Sequence, residues 1–183
     1  KELVARIQEL SDSAVSDPLT GLFNRRYLDA ALAQHFALYR RLGRRYGVIQ
    51  MDIDTLKEIN DGLGHETGDG AIRFVAGILA DNVREMDVAA RLGGDEFVVL
   101  CGLATDDDLE VYGRRLVSLV RDSRFAPAEE AGLRLTVSAG GTLVATEDGD
   151  ERDALRRADA AMYAAKHNGR DEFLIGGSPG SRR

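Results

Sequence analysis

Four carboxylates stand where burying charge is expensive. Asp52 and Asp54 end the apolar stretch GVIQMDID, and Asp95 and Glu96 open another in RLGGDEFVVL. An unpaired carboxylate taken out of water is strongly disfavoured, so acids at the mouths of two core segments require a partner. In an extended segment residues two apart face the same way, which puts Asp52 and Asp54 on one face. If the two segments are neighbours, Asp52 and Asp95 converge, and two close carboxylates need a proton or a cation between them. A hard divalent cation with oxygen ligands meets that need. Solvated turn acids are the other reading, and spacing alone leaves both open. Better-known motifs do not account for these acids. An EF-hand loop needs further oxygen ligands where Leu56 and Lys57 stand. No glycine-rich loop ends in Lys-Ser or Lys-Thr, which excludes a Walker phosphate loop. His35, His65 and His167 are scattered and distant in sequence from Cys101, which argues against zinc.

The elements that must position these acids follow from periodicity. Gly47 to Ile53 reads as a strand, and Val88 to Leu92 with Glu96 to Leu100 reads as a hairpin turning at Gly93 and Gly94. Asn24 is a helix cap for a face made by Leu28, Ala31, Leu32, Phe36 and Tyr39. Ile72, Val75, Ala76, Leu79 and Val83 mark a second helix, Asp106 to Arg121 a third and alanine-rich Asp150 to His167 a fourth. Leu133, Leu135, Val137 and Ala139 alternate as a strand does, and Glu172 to Ile175 is expected at a sheet edge. Helices joined to strands with a hairpin in the middle exclude a purely parallel doubly wound sheet. The expectation is an α+β sandwich with a largely antiparallel sheet.

Composition narrows the function. A chain of 183 residues has room for a sizeable core, and a net charge of −7 offers no broad cationic surface for polymeric nucleic acid. The single cysteine, Cys101, precludes a disulfide framework, which fits a cytoplasmic location. No apolar run approaches the ~18 residues of a membrane span and no signal-peptide pattern opens the chain, so no membrane contact by this fragment is expected. Leu3, Ile7, Leu10 and Ala14 form a helical stripe ending at Asp17-Pro18, and with the bare Lys1 they suggest the tail of a helix entering from a longer protein. The expected divisions are a helix at 1–16, a folded domain at 17–175 and a disordered tail at 176–183.

Four motifs in order carry a specific resemblance: DPLTGLFNRR, DIDTLKEINDGLGHETGD, RLGGDEF and AMYAAKHNGR. From about Asp17 to Phe173 the chain resembles the GGDEF family of diguanylate cyclases. The resemblance implies a ferredoxin-like sheet with helices on its faces, as in the palm of adenylyl cyclases and polymerases. It also implies that two GTP molecules are joined into cyclic di-GMP with release of two pyrophosphates. MDIDTL is similar to the first motif of haloacid-dehalogenase-like phosphatases too, but those enzymes keep it on a parallel sheet with a further domain, against the hairpin and the length here.

By similarity, Asp52, Asp95 and the carbonyl of Ile53 would hold Mg²⁺ or Mn²⁺. Gly93 and Gly94 would let the turn backbone approach the nucleotide. Glu96 would lie beside the reacting 3′-hydroxyl, as a proton acceptor or a metal-facing acid, two roles the motif leaves open. Lys57 would neutralise phosphate charge in the transition state. Lys166 and Arg170, four apart near a helix end and hence expected on one face, would grip the outer phosphates. Asn60 and Asp69 would read the guanine edge, Asp69 accepting from N1 and N2, which adenine cannot offer, and His65 would shape that pocket. Asp54 would support the metal site from behind. Leu56 stands where the family usually has phenylalanine, and LTVSAGGTLV has SAG in place of SIG; neither removes a reactive group.

The resemblance also bears on partners. Each family domain carries one GTP half-site, so catalysis would need a homodimer, aligned by the N-terminal stripe as a parallel coiled coil. Arg84 and Asp87 in REMD resemble the family's inhibitory site for its product, with Arg115 completing it from the following helix. The alternative is a catalytically silent receptor domain for GTP or cyclic di-GMP. Such relatives usually spoil the hairpin's glycines or acids, and all four are present here.

Overall fold

The computed structural model describes residues 15–103 and 105–177, so the stripe of Leu3, Ile7, Leu10 and Ala14 and residues 178–183 lie outside the described residues. In chain order the elements are α1 Arg25–Leu42, β1 Gly47–Ile53, α2 Leu56–Leu63, α3 His65–Asn82, β2 Val88–Gly93, β3 Glu96–Cys101, α4 Asp106–Asp122, α5 Ala126–Glu130, β4 Val137–Leu143, α6 Asp153–His167 and β5 Phe173–Ile175. The strands form one sheet in the order β2-β3-β1-β4-β5, antiparallel except for the parallel pair β4 and β5. This is the expected α+β sandwich, with the acid-bearing β1 at its centre.

All of β1 is buried because both of its faces are covered. Ile49, Met51 and Ile53 join Phe97 and Val99 of β3 in a core beneath α2, α3 and α4. Val48 faces the other way, with Val98, Leu100 and residues of α1 and α6. Strand alternation puts Gln50 and Asp52 on that second face. Gln50 there donates to Asp159 of α6 at 2.9 Å. α6 can approach because β4 has no side chain at Gly140, where a Cβ would collide with the backbone of Ala158 and Met162. The contact surface of the helix is alanine: Ala154, Ala158, Ala161 and Ala165 are all buried. Close packing of small residues thus delivers the last turn of α6 to the C-terminal end of β1.

The structure departs from the sequence reading at several boundaries. α2 was not expected; its eight residues bury only Leu56 and Ile59, too few to establish a helical period. α3 begins at His65, well before the stripe starting at Ile72. The strand expected from Leu133 begins at Val137, because Val137 pairs with Ile53, the last residue of β1, and earlier residues have no neighbouring strand. Asn24 does cap α1, accepting from the backbone N–H of Tyr27 at 3.0 Å. Among the described residues no helix is long and apolar enough to cross a membrane.

Candidate active site at the end of the central strand

Asp52 lies directly opposite Glu96 in the β1–β3 register. The backbone N–H of Ile53 donates to the carbonyl of Asp95 at 3.3 Å, fastening the hairpin turn to the end of β1. Gly93 and Gly94 have φ of 143° and 56°, values that side chains resist, and the β2–β3 register shifts between Arg91 and Gly93. β1 and the hairpin are therefore neighbours, the condition on which the expected convergence of Asp52 with Asp95 rested.

Asp52 is 5% exposed, and its Oδ1 touches Lys166 Nζ at 2.5 Å. The same oxygen accepts no hydrogen bond of regular geometry. Burial pushes the Asp52 carboxyl up to about 6, and the charges of Asp95 and Glu96 push the same way, against the pull of Lys166. A buried carboxylate balanced by a single lysine, near the charges of two further acids, is one that a divalent cation could join. Among the described residues no three His, Cys, Asp or Glu side chains are close enough to hold one.

Asp54 behaves differently. Its Oδ1 accepts from Ser138 Oγ at 2.6 Å, and its Oδ2 accepts from Thr136 Oγ1 at 2.8 Å and from the backbone N–H of Asp171 at 3.1 Å. Both oxygens are committed, so sharing a face with Asp52 does not make it a ligand.

The other candidate residues lie on α2, on α3 and in the loop after α6. Asn60 closes α2 against α3: a Cβ at Gly68 would collide with Asn60 Oδ1, so the glycine lets the amide lie on the helix beside Asp69. Lys57, His65, Asp69 and Arg170 are exposed. Lys166 is on the last turn of α6, but Arg170 is not on that helix. α6 ends at His167, and Arg170 follows with φ 67°, its N–H donating to Ala165 O at 3.1 Å. The helical-face relation expected for the pair is corrected accordingly.

The sequence profile described as "Diguanylate cyclase, GGDEF domain" matches residues 14–172. The chain belongs to this family. Diguanylate cyclase DgcP of Pseudomonas aeruginosa is 37% identical over 96% of the chain, which spans 26% of that protein. The response regulator PleD of Caulobacter vibrioides is 39% identical over 88% of the chain, which spans 36% of it. Among solved structures, the coiled coil and GGDEF domain of DgcB from Caulobacter crescentus, in complex with c-di-GMP, superposes with a TM-score of 0.85 at 27% identity, covering 95% of this chain and 92% of that one. The chain thus spans about a quarter of the first of these relatives and just over a third of the second.

In this GGDEF domain a second constellation lies away from Asp52, at the opposite end of the β2–β3 hairpin. Asp87 Oδ2 accepts from Tyr112 Oη at 3.0 Å and from the Arg84 backbone N–H at 3.3 Å. The Arg84 guanidinium lies 5.7 Å from the Tyr112 ring centroid. Arg84 and Asp87 border a groove of about 810 Å³ that His35, Arg44, Arg45 and Glu85 also line. Arg115, one turn beyond Tyr112, donates to Asn82 Oδ1 at 3.2 Å.

Sequence reasoning missed the supports of the GGDEF hairpin. Arg91 donates to Gly94 O through Nε at 3.1 Å and Nη2 at 2.8 Å, while its Nη1 reaches both oxygens of Asp17. A cation ending a strand just before a glycine turn was the available signal. Gly68 inside a helix was another, since an interior helical glycine has a packing reason. Thr136 and Ser138 carried no signal, because hydroxyls in strands are ordinary.

Proposed function

We propose that the chain is the catalytic domain of a diguanylate cyclase, condensing two GTP into cyclic di-GMP and two pyrophosphates. The observation that carries this is the buried carboxylate of Asp52, paired with Lys166 and lying opposite the intact GGDEF hairpin. Asp52, Asp95 and the carbonyl of Ile53 would hold Mg²⁺ or Mn²⁺. When bound, the cation supplies charge neutralisation at the α-phosphate and at the attacking oxygen.

The rest falls to the chain's own residues. Gly93 and Gly94 leave the turn backbone open to the nucleotide. Asn60 and Asp69 hold the guanine edge and His65 borders it, which selects GTP over ATP. Lys57, Lys166 and Arg170 take the charge of the phosphates, and Lys166 exchanges its contact with Asp52 for one with the substrate. Glu96 accepts the proton of the 3′-hydroxyl. The 3′-oxygen of one GTP then bonds to the α-phosphorus of the other, and pyrophosphate leaves with the electron pair of the broken bond. The second, symmetrical step closes the ring.

Each domain supplies one half-site, so two copies face each other across a two-fold axis. Arg84 and Asp87, with Arg115 beside them, would bind the product: the guanidinium stacks on guanine or bonds its O6 and N7, and the carboxylate accepts from N1 and N2. Product bound there would favour the unproductive arrangement of the dimer. The test is incubation with GTP and Mg²⁺ over a range of protein concentrations, with the product identified by mass spectrometry and ATP as control. Cyclic di-GMP formed from GTP alone, at a specific activity rising with concentration, is expected; specific activity independent of concentration in a monomeric preparation overturns the half-site account.

A further inference from the structure

We propose that Asp54 is a positioning residue: it fixes the loop after α6 in a left-handed conformation and so aims Arg170 at the outer phosphates of GTP. The proposal rests on the phosphate role given to Arg170 above.

Arg170 and Asp171 are consecutive non-glycine residues with φ of 67° and 51°. L side chains resist this region, and a pair of them persists only where the surroundings over-determine the backbone. Two hydrogen bonds do so here. Arg170 N–H closes onto Ala165 O of α6, and Asp171 N–H is taken by Asp54 Oδ2. The Asp171 side chain contributes little, since its Oδ1 is buried without a partner and its Oδ2 meets Arg121 only at 3.5 Å. Asp54 is itself immobilised. It is 9% exposed, held by the hydroxyls of Thr136 and Ser138, and its own N–H donates to Thr136 O at 3.0 Å. One strand end therefore sets both partners of the triphosphate: Asp52 faces the cation, and Asp54, two residues on, holds the backbone that carries Arg170.

The experiment measures binding of the α,β-methylene analogue of GTP, with Mg²⁺, and of GMP, by titration calorimetry. The proteins are wild type, Asp54→Asn, Arg170→Ala and the double variant. Both single variants should weaken the analogue by about tenfold and leave GMP within about twofold, and the double variant should be no weaker than Arg170→Ala. Adding Asp171→Gly to Asp54→Asn should restore binding, because glycine adopts the left-handed conformation without the carboxylate. Ser138→Ala removes the 2.6 Å hydroxyl but keeps the acid; it should show the same pattern at smaller size, and it serves if Asp54→Asn does not fold. If Asp54→Asn weakens GMP and the analogue alike, or adds its full factor to Arg170→Ala, Asp54 acts elsewhere and the proposal is overturned. If Arg170→Ala leaves the analogue unaffected, the phosphate role of Arg170 is wrong, and the proposal goes with it.

Discussion

Arg91 and Gly94 are joined by a fork: two guanidinium nitrogens of Arg91 converge on the Gly94 carbonyl at 3.1 and 2.8 Å, while the third is turned to Asp17. The glycine turn that presents Asp95 is thus braced by a side chain that is 13% exposed. Lysine cannot reproduce a fork. Arg91→Lys should lower turnover about tenfold through loss of the turn's geometry, while costing only about 1–2 kcal/mol of stability. Steady-state kinetics beside thermal melting checks this; turnover within twofold of wild type would show that the fork is dispensable.

Asp17 gives the same network a pH dependence. Burial raises its carboxyl, but hydrogen bonds from Thr20 and Arg91 outweigh that and hold it below the ordinary 3.8. A depressed carboxyl contributes stability that is present above 3.8 and is lost as pH falls through its folded value. The stability advantage of wild type over Asp17→Asn should therefore be constant at neutral pH and shrink below about pH 4, as denaturant melts across pH would record.

Lys166 is the counter-ion of the buried Asp52, Nζ to Oδ1 at 2.5 Å. Lys166→Met should destabilise the metal-free protein by about 1–3 kcal/mol, less than for a fully buried pair because the lysine is partly exposed. Millimolar Mn²⁺ should recover part of that loss, since a ligand bound only by the folded state stabilises it. Melts in chelator and in Mn²⁺ distinguish this from a packing defect, which Mn²⁺ would leave unchanged.

Much of this was legible beforehand, and the reasons are physical. The hairpin, β1 and the capped α1 carry strong local signals: alternation, two adjacent glycines, and a side-chain cap. The expected convergence of Asp52 with Asp95 rested on one assumption, that β1 and the hairpin are neighbours, and they are. What could not be read depends on contacts distant in sequence. That Asp54 is committed to β4 and to the loop after α6 requires knowing that Thr136, Ser138 and Asp171 arrive there. The departure of Arg170 from the helix was hidden because nothing in KHNGR distinguishes another helical turn from a left-handed exit.

Arg84 and Asp87 both border the groove, at the end of the hairpin away from Asp52. Arg84→Ala should keep initial velocity within about twofold and abolish the slowing of progress curves as product accumulates, because inhibition is a coupling between distinct sites. Curves that bend equally for wild type and variant, at matched product with GTP in excess, would remove REMD from regulation.

The most direct measurement compares wild type with Asp95→Asn, an exchange that removes the charge and hardly changes volume. Each is incubated with GTP and Mg²⁺ at high protein concentration, the nucleotides are resolved by mass spectrometry, and circular dichroism verifies the fold of both. The account predicts cyclic di-GMP and pyrophosphate from wild type, and at least a hundredfold less from a folded Asp95→Asn, of the order expected when a group stabilising transition-state charge is lost. Equal cyclic di-GMP from the two proteins would contradict it.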